Sequence, residues 1–283
     1  MNYDHAFHAG NHADVLKHLV LWALLDALGR KPAPYFVLDT HAGQGHYPLR
    51  SGPALRTNEA ESGILRLRAW AARGSKLAPA LQDYLRAVRP YLDQDHYPGS
   101  PQLVVDAMRE NDHLACCELQ PEAAAKLKAR FRREPRVGVH QRDGYEAIKA
   151  LLPPAQKRGL VLIDPPYEAQ LAEFEQILKT LRAALTCWPQ GIVALWYPIK
   201  RRRDLQPFLR RAAALPTRST LLIELLVHPD DSPLRLNGSG LLLLNPPWQL
   251  DLALADALPQ LARALADDSG QSRLQWLRND AQA

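Results

Sequence analysis

Gly159-Leu160-Val161-Leu162-Ile163-Asp164-Pro165-Pro166-Tyr167 is the stretch that decides the fold. Its four apolar residues, two of them β-branched, stand between a glycine and a proline pair. That is the pattern of a short strand buried on both faces. Such strands belong to parallel sheets covered by helices on each side, where ligands bind beyond the carboxyl ends of the strands. Asp164, Pro165, Pro166 and Tyr167 therefore fall at a ligand crevice. A carboxylate, a stiff proline pair and an aromatic ring form a half-polar slot that suits a flat base with an exocyclic amine. Asp164 and the Pro165 carbonyl accept its two N–H bonds, and Tyr167 stacks on its ring. An Asp-Pro-Pro turn is also common on surfaces, and the buried strand before it is what argues for a site.

Outward from this strand the same grammar repeats. Tyr35–Asp39, Leu114–Glu118, Val137–His140 and Gly191–Tyr197 read as further strands. Helical patterns lie at about Asp14–Gly29, Pro101–Asn111, Pro121–Arg133, Tyr145–Leu151, Glu168–Leu185 and Arg203–Leu215. Ser219–Val227 and Gly240–Leu244 form a long hairpin through the loop Asp230–Ser239, so the last strand runs against its neighbour. Alternating βα units closed by an antiparallel strand predict an α/β, doubly wound sheet. Gln249–Ala266 reads as a final covering helix, the last dozen residues as loose, and no internal repeat is evident.

One interval breaks the rhythm. The strand ends Glu118, Asp143 (just past its strand) and Asp164 are 25 and 21 residues apart, but Asp39 and Glu118 are 79 apart. An insertion of about fifty residues is expected there. Its interior, about Asn58–Arg73 and Ala78–Leu92, has helical spacing. The expected division is a catalytic domain, 1–46 and 99–283, and a helical insertion subdomain, 47–98.

Bulk composition limits the class. With 283 residues, 47% hydrophobic and 23% charged, the chain is an ordinary globular protein with ample length for a core. No apolar stretch is long enough to span a bilayer, and Met1-Asn2-Tyr3-Asp4-His5 has no signal pattern, so a cytoplasmic protein with no membrane partner is expected. Cys116 and Cys117 are adjacent within a strand and Cys187 has no motif partner, which suits core packing. The net charge of +5 is bunched, notably at Lys200-Arg201-Arg202-Arg203 after a strand, where Lys200 and Arg201 are candidate contacts for a polyanion.

The remaining strand ends carry consistent chemistry. Asp39-Thr40-His41-Ala42-Gly43-Gln44-Gly45-His46 has two glycines for close backbone approach but lacks the third of a dinucleotide fingerprint. Glu118 ends its strand where a carboxylate accepts both ribose hydroxyls of an adenosine, and Asp143-Gly144 follow where one holds the amino group of its base. In this order, with Asp164-Pro165-Pro166-Tyr167 next, they describe a pocket for S-adenosylmethionine. Six of the ten histidines lie in the first 46 residues, and His8 and His12 share a helix spacing. With no third ligand at a characteristic spacing, no metal site is expected. Lys17 or His18 is instead expected on the methionine carboxylate, and Tyr3 near the base slot. Asn245-Pro246-Pro247-Trp248 resembles the first motif but ends the antiparallel strand, so it should face away from the crevice.

The chain resembles the RlmJ family of bacterial 23S ribosomal RNA adenine-N6 methyltransferases over essentially its whole length. The resemblance rests on Phe7-His8-Ala9-Gly10-Asn11-His12-Ala13-Asp14-Val15-Leu16-Lys17-His18, Leu38-Asp39-Thr40-His41-Ala42-Gly43, Tyr97-Pro98-Gly99-Ser100-Pro101, Leu162–Tyr167 and Ala194-Leu195-Trp196-Tyr197-Pro198. It implies a Rossmann-like class I methyltransferase sheet with a small helical insertion, and S-adenosyl-L-methionine as methyl donor. It implies cofactor contacts from His18, His41, Ser100, Glu118, Asp143, Gly144 and Asp164, catalysis at Asp164, and a substrate contact from Tyr3. Gln44, His46 and Asp4 depart from the small residue, the arginine and the basic residue expected of the family there. The expected partner is 23S ribosomal RNA and the expected state a monomer. Rival readings are the same chemistry on DNA adenine and a non-catalytic RNA-binding assembly factor.

Overall fold

Leu160 and Leu162 pack into one core cluster and Val161 and Ile163 into another, all four 0 or 1% exposed. The alternation is that of a strand covered on both faces, and each such side chain contributes about 1.5–3 kcal/mol on leaving water. The computed structural model that shows this describes residues 7–50, 57–74, 76–167, 170–233, 236–266 and 269–279. In chain order its elements are α1 (His12–Gly29), β1 (Tyr35–Asp39), β2 (His46–Pro48), α2 (Glu59–Ser62), α3 (Ile64–Ala71), α4 (Pro79–Leu92), β3 (His96–Pro98), α5 (Ser100–Ala107) and β4 (His113–Glu118). There follow α6 (Pro121–Arg130), β5 (Val137–Gln141), α7 (Gly144–Leu151), β6 (Arg158–Ile163), α8 (Gln170–Cys187), β7 (Ile192–Ile199) and α9 (Arg202–Ala213). The chain ends with β8 (Ser219–Leu226), β9 (Gly238–Leu244), α10 (Leu250–Ala255), α11 (Ala257–Leu265) and β10 (Gln271–Asn279).

The main sheet has the order β10-β8-β9-β7-β6-β1-β4-β5. β5, β4, β1, β6 and β7 are mutually parallel, and β9 runs antiparallel to both β7 and β8, as the hairpin pattern requires. Leu244 pairs with Val193 near the start of β7, so Asn245-Pro246-Pro247-Trp248 lies at the end of the sheet away from the crevice. β10 is a correction. The expected loose tail forms an edge strand antiparallel to β8, because Leu274 and Trp276 alternate with polar residues and pack on the core. A second correction is that the final helix is two, α10 and α11. Pro259 has no N–H to offer the Ala255 carbonyl, so one helix cannot run through.

α1 is buried almost all round, which explains why it shows no polar stripe. It lies against β9 on one side and α4 and α5 on the other. Asn11 starts it, accepting N–H bonds from Ala13 and Asp14 at 3.0 Å.

The long interval holds α2, α3 and α4 between two short strands. Gly63 divides the helix expected over 58–73. A Cβ there would lie 2.0 Å from the Gly10 carbonyl oxygen, which also accepts the Ile64 N–H at 2.8 Å. Only glycine admits this backbone crossing. Ile64, Leu67, Leu81, Tyr84 and Val88 join one core cluster with α1 and α11. At its base His46-Tyr47-Pro48 and His96-Tyr97-Pro98, the same tripeptide repeated, pair antiparallel with Tyr47 opposite Tyr97. Three residues are too few for a strand period to be read in sequence.

Candidate active site

The carboxyl ends of β1, β4 and β6, with the loop after β5, open on one cavity of about 620 Å³. Lys17, His18, His41, Ser100, Glu118, Asp143, Gly144 and Asp164 all line it, so the expected cofactor residues converge from elements far apart in sequence.

Each is held by local structure. At the end of β4, Glu118 accepts the Gly43 N–H on one carboxylate oxygen (2.9 Å) and the Gln120 N–H on the other (2.7 Å). Its spare lone pairs remain for hydroxyl donors. Gly43 has φ +61°, and a Cβ there would meet the Tyr47 hydroxyl at 2.2 Å, so the turn needs glycine on two counts. Asp143 caps α7 through Oδ1, taking the N–H groups of Tyr145 (2.7 Å) and Glu146 (3.1 Å), which leaves Oδ2 for a ligand. Gly144 sits where a Cβ would be 2.0 Å from the Thr40 carbonyl oxygen.

Under this floor Asp39 is fully buried and accepts a 2.6 Å bond from the Ser100 hydroxyl. Burial, reinforced by the charge of Asp164 and opposed by Ser100 and Lys17, raises its pKa to about 6. Burial likewise keeps His41 neutral, lowering its pKa to about 4. Its Nδ1 is 2.8 Å from the Thr40 hydroxyl, and its ring meets that of Tyr145 edge-on at 5.2 Å.

Lys17 has partners that its sequence position did not reveal. Its ammonium lies 2.9 Å from Asp14 and 2.5 Å from Asp164. Burial opposes its charge, but the two carboxylates outweigh burial and hold its pKa well above the ordinary lysine value. The methionine carboxylate expected for Lys17 must therefore compete with two bound carboxylates, and His18 is the better candidate. Asp14, three residues before Lys17, was legible as a helix neighbour.

Beyond Asp164, Pro166 lines the cavity and Pro165 is buried. Tyr167 has φ +50°, and its hydroxyl donates to the Trp196 carbonyl at 2.7 Å. Its ring stands edge-on to Trp196 (5.7 Å) and Phe174 (6.2 Å). The residue is thus fixed from β7, and neither it nor Pro165 is among the residues lining the cavity. Lys200 and Arg201 are exposed just past β7, whereas Arg202 turns inward to Glu224 at 3.1 Å. Tyr3 lies outside the described residues. His8 is bonded to Glu59 at 2.9 Å, and among the described residues no group of three candidate ligands converges on a metal position.

Several cavity residues escaped the sequence reading, Leu119 and Tyr145 among them. Leu119 is 46% exposed, an apolar platform beside Glu118, and Tyr145 follows Gly144. Their signal was adjacency to acidic strand ends.

A parallel crevice with carboxylates after β4 and β5, and Asp-Pro-Pro-Tyr after β6, defines an S-adenosylmethionine-dependent methyltransferase of class I. The family model described as "Ribosomal RNA large subunit methyltransferase D, RlmJ" matches residues 32–278, and the chain belongs to that family. It is 36% identical over 281 residues to "Ribosomal RNA large subunit methyltransferase J" of Escherichia coli K12, covering 98% of this chain and 99% of that one. The protein of the same description from Haemophilus influenzae is 34% identical, with 98% and 99% covered. A crystal structure from Legionella pneumophila, 30% identical, superposes with a TM-score of 0.84 over 95% of this chain and 98% of that one.

Proposed function

We propose that this protein transfers the methyl group of S-adenosylmethionine to N6 of an adenine in 23S ribosomal RNA. One observation carries the reading: Asp164, the head of the base slot, also lines the cavity that holds Glu118, Asp143 and His41. Donor and acceptor sites therefore share a wall.

The cavity fits the donor. Glu118 and Asp143 offer acceptors at the adenosine end, Leu119 an apolar face for its base, and His18 a polar contact at the methionine end. When bound, S-adenosylmethionine supplies an electrophilic methyl on a sulfonium. The chain does the rest. The adenine amine is a weak nucleophile because its lone pair is delocalised into the ring. Hydrogen bonds from N6 to Asp164 and to the Pro165 carbonyl favour a pyramidal nitrogen, and Tyr167 holds the ring in line, a proximity effect. The amine becomes acidic only as it gains positive charge, so Asp164 stabilises that charge and accepts the proton late.

The target base must leave its stack, which costs least in a loop, bulge or helix end. Lys200 lies four residues past Trp196, about 13 Å along an extended chain. With Arg201 it supplies positive charge beside the slot for the RNA backbone.

The test is transfer of labelled methyl to naked 23S rRNA, 16S rRNA and DNA, followed by nucleoside analysis. N6-methyladenosine in 23S rRNA alone is expected. Modification of DNA alone would move the substrate to DNA, and no transfer despite donor binding would leave a non-catalytic RNA-binding factor.

A further inference from the structure

Three side chains in the interior form a hydrogen-bonded row that ends at the cofactor cavity. The Tyr84 hydroxyl on α4 is 2.7 Å from that of Tyr97 on β3, which is 2.9 Å from Nδ1 of His18 on α1. All three residues are 0 or 1% exposed. The His18 and Tyr97 rings also stack, 5.3 Å apart at 27°. Burial raises the pKa of both tyrosines, so each hydroxyl keeps its proton.

Proton counting orients the row. Tyr97 can donate to His18 or to Tyr84. If it donates to Tyr84, the Tyr84 proton needs another acceptor, and among the described residues Tyr97 is the only hydrogen-bond partner of Tyr84. A buried hydroxyl proton without an acceptor costs about 1–3 kcal/mol. The favoured direction is therefore Tyr84 to Tyr97 to His18 Nδ1. With Nδ1 accepting, the ring proton of neutral His18 resides on Nε2.

We propose that Tyr97 is a positioning residue for the methyl donor: it sets His18 as the Nε2–H tautomer, a donor for the carboxylate of the donor's methionine end. This rests on the S-adenosylmethionine reading of the cavity. It also gives the base of the insertion a role in cofactor binding. Tyr97 faces Tyr47 across the two-stranded ribbon, and the Tyr47 hydroxyl accepts the Gln44 N–H of the glycine-rich loop at 3.2 Å. The two equivalent tyrosines of the repeated tripeptide thus hold the loop after β1 and the histidine of α1. Lys17, the cation near that end, is engaged by Asp14 and Asp164.

Two measurements on the full chain test this. The first is nitrogen NMR of the imidazoles without ligand, with the His18 signal assigned by its loss in His18→Gln. An Nε2–H ring with an accepting Nδ1 is expected, and an Nδ1–H ring overturns the proposal. This arm is independent of the cofactor reading. The second is calorimetric binding of S-adenosylhomocysteine, with steady-state kinetics. Tyr97→Phe keeps the stacked ring and removes one hydroxyl, so it should weaken binding roughly five- to tenfold and raise KM for the donor similarly, with kcat held within about twofold. Tyr84→Phe preserves the Tyr97–His18 bond and should lose no more than about twofold in affinity. Wild-type affinity in Tyr97→Phe overturns the proposal. Failure of the wild type to bind would instead overturn the cofactor reading, and the proposed role with it.

Discussion

The Lys17 ammonium stands 2.5 Å from the Asp164 carboxylate and 2.9 Å from that of Asp14, and so ties the loop after β6 to α1. A charge network of this kind holds the proposed catalytic carboxylate in place, and its members respond unequally to substitution.

Asp164→Ala should abolish methyl transfer while the fold persists, because Lys17 keeps Asp14 as its partner. Lys17→Met should do the reverse damage. It leaves the buried Asp14 and the partly buried Asp164 without their shared cation, at a cost of about 3–5 kcal/mol. Urea denaturation of both variants checks this; equal stability losses would contradict the network.

Gly144→Ala places a methyl 2.0 Å from the Thr40 carbonyl oxygen. The start of α7 must then move off the β1 loop, displacing Asp143. A loss of roughly tenfold or more in S-adenosylhomocysteine affinity is expected, equivalent to about 1.4 kcal/mol. Calorimetry would show it, and unchanged affinity would remove Gly144 from the site.

Leu119 offers a half-exposed apolar face on the cavity wall. Covering it with an adenine contributes about 1 kcal/mol, so Leu119→Ala should weaken donor binding roughly fivefold without changing the melting temperature. A lower melting temperature with intact affinity would assign Leu119 to the core instead.

Asp39 gives a pH signature. Its folded pKa of about 6 lies above the ordinary 3.8, so the folded state binds the proton more tightly. The stability it contributes is complete below 3.8 and is lost as pH rises through about 6. Asp39→Asn cannot titrate. Relative to wild type it should gain on the order of 2–3 kcal/mol between about pH 4 and about pH 7. His41 acts oppositely: with its pKa lowered from 6.5 to about 4, its contribution is present above 6.5 and is lost as pH falls through about 4. Present in both proteins, it cancels in the difference. A pH-independent difference in unfolding free energy would contradict the assignment.

The sequence by itself determined the parallel sheet, its reversal at β9 and the crevice position of most site residues. Leu160–Ile163 is apolar at every position, and such a run is stable only between two layers of helices. Glu118, Asp143 and Asp164 sit at strand ends spaced as βα units, and that local period carries them to one side of the sheet. Short or non-local features were not legible. The pairing of Tyr47 with Tyr97 spans 50 residues, and β10 depends on an edge that β8 leaves open. Tertiary structure alone decided which partners the buried polar groups take. Lys17 could have met a ligand carboxylate, but the folded chain brings it to Asp164 in the loop after β6. His18 carries no tautomer in its sequence, and burial beside Tyr97 and Tyr84 selects one. The reason is energetic: an unpaired polar group costs most where water is excluded, and only the assembled core excludes it.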